Sequence, residues 1–201
     1  MGNIDAARDE LERMLDELVE RPDDRRELER TIERRFTQRK AVMMLDLSGF
    51  SRATLDRGIV ASLLMSHEMR RLAEPAVAER GGVVVKSPAD NLFCLFDRAE
   101  DALAASRAIT HSLEAANVVL PDGLELYVSV GIGFGPLLVV GGEDMWGSEV
   151  NLAAKLGEDV ADRGEILLTA AARAELQGEH SFAAWSREVS GIQLTYYAVS
   201  T

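Results

Sequence analysis

The fold is decided in residues 141–156, which read Gly-Gly-Glu-Asp-Met-Trp-Gly-Ser-Glu-Val-Asn-Leu-Ala-Ala-Lys-Leu. The apolar run 137–140 before it is typical of a buried strand, and good helix formers follow its last glycine, so the stretch predicts strand, turn and helix. The turn carries Asp144. Asn151 and Lys155 are four residues apart and share one helix face. A carboxamide and a cation are poor core residues, so we expect this face to line a cleft; the alternative is a solvated helix face.

Two further segments place polar residues at the ends of apolar runs. Asp46 follows the run in Met-Leu-Asp-Leu-Ser-Gly-Phe-Ser, where a buried carboxylate is costly unless it is paired or bound to a metal ion. Its alternative role is to help cap the next helix. Lys86 and Asp90 lie in Gly-Gly-Val-Val-Val-Lys-Ser-Pro-Ala-Asp, between the runs 83–85 and 92–96, which predict a hairpin. Alternatively, they are only its polar tip.

The order of these motifs resembles the signature of class III nucleotide cyclases. The opening stretch matches the pattern Asp-x-x-Gly-x-x-Val-Asn-x-Ala-x-(basic). Further matches in the same order are Gly-Ile-Gly at 131–133, Gly-Glu-Ile-Leu-Leu-Thr at 164–169 and a closing Tyr-Tyr-Ala-Val. Each piece is weak alone, but the ordered set over residues 39–200 indicates an adenylate or guanylate cyclase catalytic domain.

The resemblance implies a two-metal site. Cyclisation of a nucleoside triphosphate requires in-line attack of the ribose 3′-hydroxyl on the α-phosphorus, so positioning and charge stabilisation do most of the work. Asp46 and Asp90 are the candidate carboxylates, and the resemblance adds the backbone carbonyl of Leu47. Oxygen ligands suit two Mg²⁺ or Mn²⁺ ions per site.

The resemblance also implies how the substrate is held. Lys86 and Asp144 read the edge of adenine, because the lysine donates to a ring nitrogen and the carboxylate accepts from the exocyclic amine. Asn151 orients the ribose, and Lys155 meets the transition-state charge. In the family the metal carboxylates come from one subunit of a homodimer and the residues that read the base and the phosphates come from the other, so the resemblance places Asn151 and Lys155 on the opposite subunit together with the base readers.

The sequence departs from the family pattern in two places. Lys155 stands where the family normally has arginine, and it lacks the planar fork that grips phosphate through two donors. Pro88-Ala89 stands where a glycine usually precedes the metal aspartate, which restricts the hairpin and changes the expected aim of Asp90. We therefore expect an adenylate cyclase of low activity that converts ATP to 3′,5′-cyclic AMP and pyrophosphate. The alternatives are a degenerate domain that binds a nucleotide or a protein without turnover, and a cyclase for another nucleoside triphosphate.

The amino-acid composition limits the kinds of partner that the protein can bind. The 201 residues include 22 Lys and Arg against 34 Asp and Glu, a net charge of −12, which argues against nucleic acid and requires any phosphate to be met locally. Cys94 is the only cysteine, so a reducing compartment fits. The longest uncharged window, 126–142, contains five glycines and Pro136. It predicts two strands, 126–132 and 137–140, rather than a membrane helix, and we expect a cytoplasmic protein.

The remaining pattern predicts an α+β fold, a ferredoxin-like sandwich of the class III cyclase type with an N-terminal helical extension. Two short amphipathic helices over residues 1–38 have no core of their own, so their apolar stripes must pack on the domain 39–201 or on a second copy, or dock a regulatory partner. Within the domain the predicted elements alternate: strand 41–47, helix 59–79 with Leu63, Leu64, His67 and Met69 on one face, the hairpin, helix 98–116, the two central strands, a helix ending at 160, strand 166–168, helix 170–176, and strands 182–189 and 195–199.

Overall fold

The computed structural model describes residues 2–121, 123–178, 180–189 and 191–200. Its helices are α1 (Gly2–Glu20), α2 (Arg25–Phe36), α3 (Phe50–Arg57), α4 (Ile59–Glu79), α5 (Ala99–Asn117), α6 (Ser148–Lys155) and α7 (Ala170–Glu175). Its strands are β1 (Thr37–Leu47), β2 (Val83–Lys86), β3 (Asn91–Phe96), β4 (Val128–Val140), β5 (Asp144–Trp146), β6 (Ile166–Thr169), β7 (Phe182–Val189) and β8 (Ile192–Val199). A 3₁₀ turn, Pro22–Asp24, separates α1 from α2. None of the helices in these ranges is both long and apolar enough to cross a lipid bilayer.

One mixed sheet organises the fold, with strand order β2-β3-β1-β4-β6-β8-β7 and β5 paired to the end of β4. Among the strand pairs that the described residues form, only β4–β6 is parallel. Successive side chains of a strand point to opposite faces, so Met43 and Leu45 join the core under α4 and α5, whereas Val42 and Met44 join a second core under α6. The α+β class predicted from the sequence is confirmed.

The two strands predicted over 126–140 form a single strand, so that prediction was wrong. β4 runs without a break from Val128 to Val140 because β1 pairs with it along its whole length, from Leu47 opposite Val128 to Thr37 opposite Leu138. Pro136 is tolerated because β6 pairs only with Val130–Ile132 and β5 only with Leu138–Val140, which leaves no strand on the second side of the proline.

Other boundaries also differ from the prediction. Asp144 lies in the short strand β5, paired with Val140, rather than in a turn. The helix expected to end at residue 160 is α6 followed by a π-helical turn, Leu156–Val160. In α4, Leu63 and Leu64 are 55% and 51% exposed, because the helix packs on the sheet through a neighbouring face. The buried residues of that face are Ser62, Met65, Ser66, Met69, Ala73, Ala76 and Val77.

The N-terminal helices pack against the far half of β4. Leu11 of α1 and Ile32 and Phe36 of α2 are buried in one cluster with Val140. Arg35 of α2 forms a bidentate ion pair with Glu10 of α1, which holds the two helices together. The apolar stripes therefore find their partner within the chain. The proposed boundary after residue 38 and a regulatory role of these helices remain predictions.

Candidate active site

The metal-site candidates Asp46 and Asp90 meet at the ends of two neighbouring strands. β1 and β3 are antiparallel, and Asp46 pairs with Asn91, the residue after Asp90. The amide of Leu47 donates to the carbonyl oxygen of Asp90 at 3.1 Å, so the turn before β3 is fastened to the end of β1. The fold thus brings together two carboxylates that are 44 positions apart in the sequence.

The electrostatics of this corner are unfavourable in the chain alone. Partial burial raises the pKa of Asp46 from 3.8 to about 6, and the negative charges of Asp90 and Glu158 add to the shift. A bound divalent cation reverses this effect, because it favours the ionised form. The oxygen donors present here fit Mg²⁺ or Mn²⁺. Within the described residues, no three His, Cys, Asp or Glu side chains are arranged as a complete metal site.

The turn that presents Asp90 takes a glycine-like conformation without a glycine. Ala89 has φ = 52°, in the left-handed region, which costs a non-glycine residue about 1 kcal/mol. Its carbonyl oxygen accepts a hydrogen bond from Ser66 Oγ of α4 at 2.7 Å, and Pro88 O accepts one from the Asn91 amide at 2.9 Å. Hydrogen bonds around the turn therefore hold the conformation that the family's glycine would favour.

The base-reading candidates Lys86 and Asp144 form an ion pair. Lys86 Nζ lies 2.8 Å from Asp144 Oδ1, which also accepts from the Met145 amide at 2.9 Å. Partial burial raises the pKa of Asp144, but the hydrogen bond from Lys86, that from Met145 and the charges of Lys86 and Arg8 outweigh it, so the pKa is lowered. The lysine ammonium also lies 5.4 Å from the centre of the Phe93 ring. This pair is ionised and neutralised within the chain.

Arg8 connects the N-terminal extension to this pair. A cavity of about 90 Å³ is lined by Arg8 of α1 together with Val140, Glu143, Asp144 and Trp146. The sequence gave no sign that Arg8 belongs to the candidate site. Along the chain it pairs with Glu12, one helical turn later, as a surface arginine of any helix can. Tertiary packing of α1 on β4 places it beside the candidate base-reading carboxylate.

Asn151 and Lys155 lie on α6, as predicted. The Asn151 side chain is exposed, and Lys155 Nζ lies 3.9 Å from Asp159 Oδ2 in the π-helical turn. Among the described residues, neither side chain has a hydrogen bond or ion pair to Asp46, Asp90, Lys86 or Asp144. Within one chain the fold therefore assembles the candidate metal pair and the candidate base-reading pair, without a direct bond to either from Asn151 or Lys155 among the described residues.

Helix α6 is positioned by backbone contact and by one carboxylate. A Cβ on Gly131 would lie 2.0 Å from Ala153 O, and one on Gly133 would lie 2.6 Å from Glu149 O, so α6 packs directly on the β4 backbone. Glu149 Oε2 accepts from Thr169 Oγ1 at 2.6 Å and from the Phe134 amide at 3.1 Å. Sequence reasoning missed Glu149. Its neighbours in the signature gave no sign that its carboxylate anchors the helix.

A larger cavity begins at the turn after Asp46 and Leu47. It has a volume of about 600 Å³ and starts at Ser48 and Gly49. Its charged lining comprises Arg52, Arg57 and Arg163 together with Asp56 and Glu125. In a chain with a net charge of −12, this is a local group of cations next to the metal-site candidates.

The architecture is that of class III adenylate and guanylate cyclase catalytic domains, as the motifs predicted. The adenylate/guanylate cyclase/hydrolase of Silicibacter pomeroyi has a TM-score of 0.68 at 24% identity, over 82% of this chain and 98% of that protein. The adenylyl cyclase CyaB of P. aeruginosa has a TM-score of 0.67 at 20% identity, over 82% and 96%. The guanylate cyclase domain of RhGC from Catenaria anguillulae, in complex with GTP, has a TM-score of 0.68 at 15% identity, over 82% and 96%.

A curated relative points in the same direction. The chain is 27% identical over 160 residues to a Rhizobium meliloti (strain 1021) protein named "Putative adenylate cyclase 3". This match covers 79% of the chain and 26% of the relative, so the chain spans about a quarter of that protein's length. No protein-family model matches the chain. Because adenylate and guanylate cyclases share the fold equally well, the base preference depends on the site residues.

Proposed function

We propose that this chain is a cyclase catalytic domain that converts ATP to 3′,5′-cyclic AMP and pyrophosphate at a homodimer interface, with low activity. The proposal is supported by the cyclase fold and by two residue pairs that the fold assembles from distant motifs. Asp46 lies beside Asp90 at the ends of β1 and β3, and Lys86 contacts Asp144. A cytoplasmic location is part of the proposal and rests on the single cysteine.

The Lys86–Asp144 contact carries the preference for adenine. Adenine presents a ring-nitrogen acceptor beside an exocyclic amine donor, and an ammonium beside a carboxylate is the complementary arrangement. Guanine presents a carbonyl acceptor and donor groups in a different order. Since the two side chains lie 2.8 Å apart, a base must separate them or bind along their edge, so the ion pair competes with the substrate.

The metal ions would be held by Asp46, Asp90 and the backbone carbonyl of Leu47. When bound, Mg²⁺ or Mn²⁺ lowers the barrier by favouring the deprotonated 3′-hydroxyl and by neutralising charge on the phosphates. The half-buried Asp46, whose pKa is about 6 without a cation, suits such an ion. The cavity beside Ser48 and Gly49, with its arginines, supplies local positive charge for the phosphate chain.

The reaction needs few covalent steps from the protein. A bond forms between the ribose 3′-oxygen and the α-phosphorus, the bond from that phosphorus to the bridging β-oxygen breaks, and pyrophosphate leaves while the 3′-oxygen loses its proton. Asn151 holds the ribose so that attack is in line, and Lys155 stabilises the charge that develops on the phosphate oxygens. Both residues lie on α6, which β4 and Glu149 hold rigidly.

We infer the homodimer from the exposed side chain of Asn151. Among the described residues neither Asn151 nor Lys155 forms a hydrogen bond or ion pair with Asp46 or Asp90, and Lys155 pairs only with Asp159, so a second copy would complete the site. Mixing an Asp46→Ala chain with an Asn151→Ala chain regenerates one intact site in each heterodimer. About one quarter of wild-type activity is then expected for random subunit exchange. No recovery, with subunit exchange shown by mass-tagged chains, would exclude a shared site.

One observation favours the alternative of a nucleotide-binding domain without turnover. Lys155 replaces the family's arginine, and it lies near Asp159 of its own chain at 3.9 Å. The negative charge of Asp159 partly offsets the positive charge of Lys155, so Lys155 stabilises negative charge in the transition state less well. The test must therefore distinguish three outcomes: low activity with ATP, no activity, and turnover of another nucleoside triphosphate.

The test is a product assay with each substrate. Purified protein is incubated with Mn²⁺ and ATP, GTP, CTP or UTP, and cyclic nucleotides are separated by chromatography. We expect cyclic AMP as the main product, and none from an Asp46→Asn control. Binding of ATP without a cyclic product would establish the non-catalytic alternative, and a different cyclic product would reassign the base.

A further inference from the structure

Asn91 has an unusual hydrogen-bond state beside the candidate metal carboxylates. Its Nδ2 donates to Glu158 Oε1 at 2.8 Å. Its other side-chain atom, Oδ1, is buried and accepts no hydrogen bond from the described residues. Buried acceptors are normally paired, so this oxygen lacks the donor or cation that such a position calls for.

The direction of the amide is determined by its partner. A carboxylate only accepts hydrogen bonds, so the Asn91 side chain must turn its NH₂ group to Glu158 and its oxygen away from it. Glu158 belongs to the π-helical turn after α6. The turn therefore selects which atom of Asn91 is left free, and that atom is an oxygen.

Strand pairing places the Asn91 side chain on the same face of the sheet as that of Asp46. Directly opposite residues in an antiparallel pair project from the same face, with Cβ atoms about 5 Å apart. Val42 pairs with Leu95, Met44 with Phe93 and Asp46 with Asn91. The first two pairs are buried in the same cluster under α6, so the third pair continues along that face. Asp46 and Asn91 are thus side-by-side neighbours.

We propose that Asn91 is a further ligand residue of the candidate metal site, and that Glu158 positions it by holding its amide so that Oδ1 is available to the cation bound by Asp46 and Asp90. The inference rests on the proposed function, because it takes the two carboxylates to bind a divalent ion. A neutral carbonyl oxygen is an ordinary ligand for Mg²⁺ and Mn²⁺. It adds coordination without adding to the repulsion between the carboxylates.

The test measures Mn²⁺ binding to the whole chain without nucleotide, by isothermal titration calorimetry. Asn91→Ala should weaken Mn²⁺ binding about tenfold or more, the range seen when groups that organise a metal site are removed. The double variant Asn91→Asp with Glu158→Gln keeps the net charge and the bridge, since the new amide donates to the new carboxylate. It should bind Mn²⁺ at least as tightly as wild type. Glu188→Gln, on the exposed edge strand β7, is the charge control and should change nothing.

The outcomes separate this inference from the function it rests on. If Asp46→Asn abolishes Mn²⁺ binding while Asn91→Ala leaves it unchanged, the role of Asn91 is wrong and the proposed function stands. Unchanged binding by Asp46→Asn would mean that the metal assignment itself is wrong. A double variant that binds Mn²⁺ as weakly as Asn91→Ala would also overturn the proposal, because that variant restores both the bridge to residue 158 and an oxygen that can bind the cation.

A second readout does not depend on how well the variants fold. In wild-type protein labelled with ¹⁵N, the side-chain NH₂ signals of Asn91 are identified by their loss in the double variant. They should shift as Mg²⁺ is added and reach saturation with the calorimetric binding constant. Signals that stay in place at saturating Mg²⁺ would overturn the assignment.

Discussion

The two residue pairs of the candidate site have opposite electrostatics. Lys86 and Asp144 neutralise each other, and their contact lowers the pKa of Asp144. Asp46 and Asp90 carry like charges, and the pKa of Asp46 is raised to about 6 by burial first and then by the charges of Asp90 and Glu158. The first pair is satisfied within the chain, whereas the second consists of like charges. On the proposed function, a base separates the first pair or binds along its edge, and a cation stabilises the second.

Removing either metal carboxylate should have the largest effect. Asp46→Asn or Asp90→Asn should lower cyclase activity by about a thousandfold or more, roughly 4 kcal/mol of transition-state stabilisation, because the ion loses a charged ligand. The product assay with Mn²⁺ measures this loss, and thermal melting confirms that the variants fold. Near-wild-type turnover by either variant would refute the metal assignment.

Breaking the neutral pair should have an intermediate effect. Lys86→Ala or Asp144→Ala should lower kcat/KM for ATP by about 10- to 100-fold, because a hydrogen bond to a charged group contributes roughly 1.5–3 kcal/mol. The free energy of unfolding should change by less than about 1 kcal/mol, since both side chains are about one third exposed (37% and 34%).

The matched control for that pair is Lys40–Asp97, another partly exposed ion pair of the chain. Lys40→Ala should alter stability by a similar amount and leave kcat/KM for ATP unchanged. An equal loss of activity from Lys40→Ala would show that ion-pair loss in general, rather than base recognition, causes the effect.

Replacing the least family-like residue should give a smaller gain. Lys155→Arg restores a fork that grips phosphate through two donors, and kcat should rise about tenfold, roughly 1.4 kcal/mol. Steady-state kinetics with ATP and Mn²⁺ measure the change. If Lys155→Arg and Lys155→Ala both leave kcat and KM unaltered, Lys155 does not act in the reaction.

The smallest expected effect is on the pH dependence of stability. This measurement tests the Asp46–Asp90 pair alone. The folded-state pKa of Asp46 is about 6 against 3.8 ordinarily, so the folded protein binds the proton more tightly. The contribution of Asp46 to the free energy of unfolding therefore falls as the pH rises from about 3.8 to about 6, and it stays low above pH 6. The loss is about 1 kcal/mol after allowance for solvent screening of a half-exposed group.

Chemical denaturation of metal-free wild type and Asp46→Asn, compared at pH 4.5 and 7.5, checks this sign. Asp46→Asn should lose less stability than wild type over the interval. Saturating Mn²⁺ should restore wild-type stability at pH 7.5, because an ion that binds the folded state stabilises it. A larger loss in Asp46→Asn than in wild type would contradict the shifted pKa.

The site residues were predictable where each stands in an ordered motif. Asp46, Lys86, Asp90, Asp144, Asn151 and Lys155 were all selected from the sequence, and the fold brings Asp46 close to Asp90 and Lys86 into contact with Asp144. The assignment of their roles in binding and catalysis remains a prediction.

Residues that are not fixed positions of such motifs could not be found in this way. Arg8, Glu149 and Glu158 have ordinary sequence surroundings, and their importance comes from partners 15 to 136 positions away, among them Thr169 for Glu149 and Asn91 for Glu158. A single sequence carries no signal for such pairs. The central strand was misjudged for a related reason, since its glycines and proline suggested a break that pairing with β1 prevents.

The sequence by itself determined the α+β class, the order of most of its elements and the identity of the polar residues at strand ends, because hydrophobic periodicity and turn residues act locally. The tertiary structure alone decided which of those polar groups are neutralised and which are left in repulsion. Charge interactions depend on distance and burial, and both are determined only when β1, β3, β5 and the turn after α6 come together. That assembly leaves Asp46 with two carboxylates near it and leaves Asn91 with an unpaired oxygen.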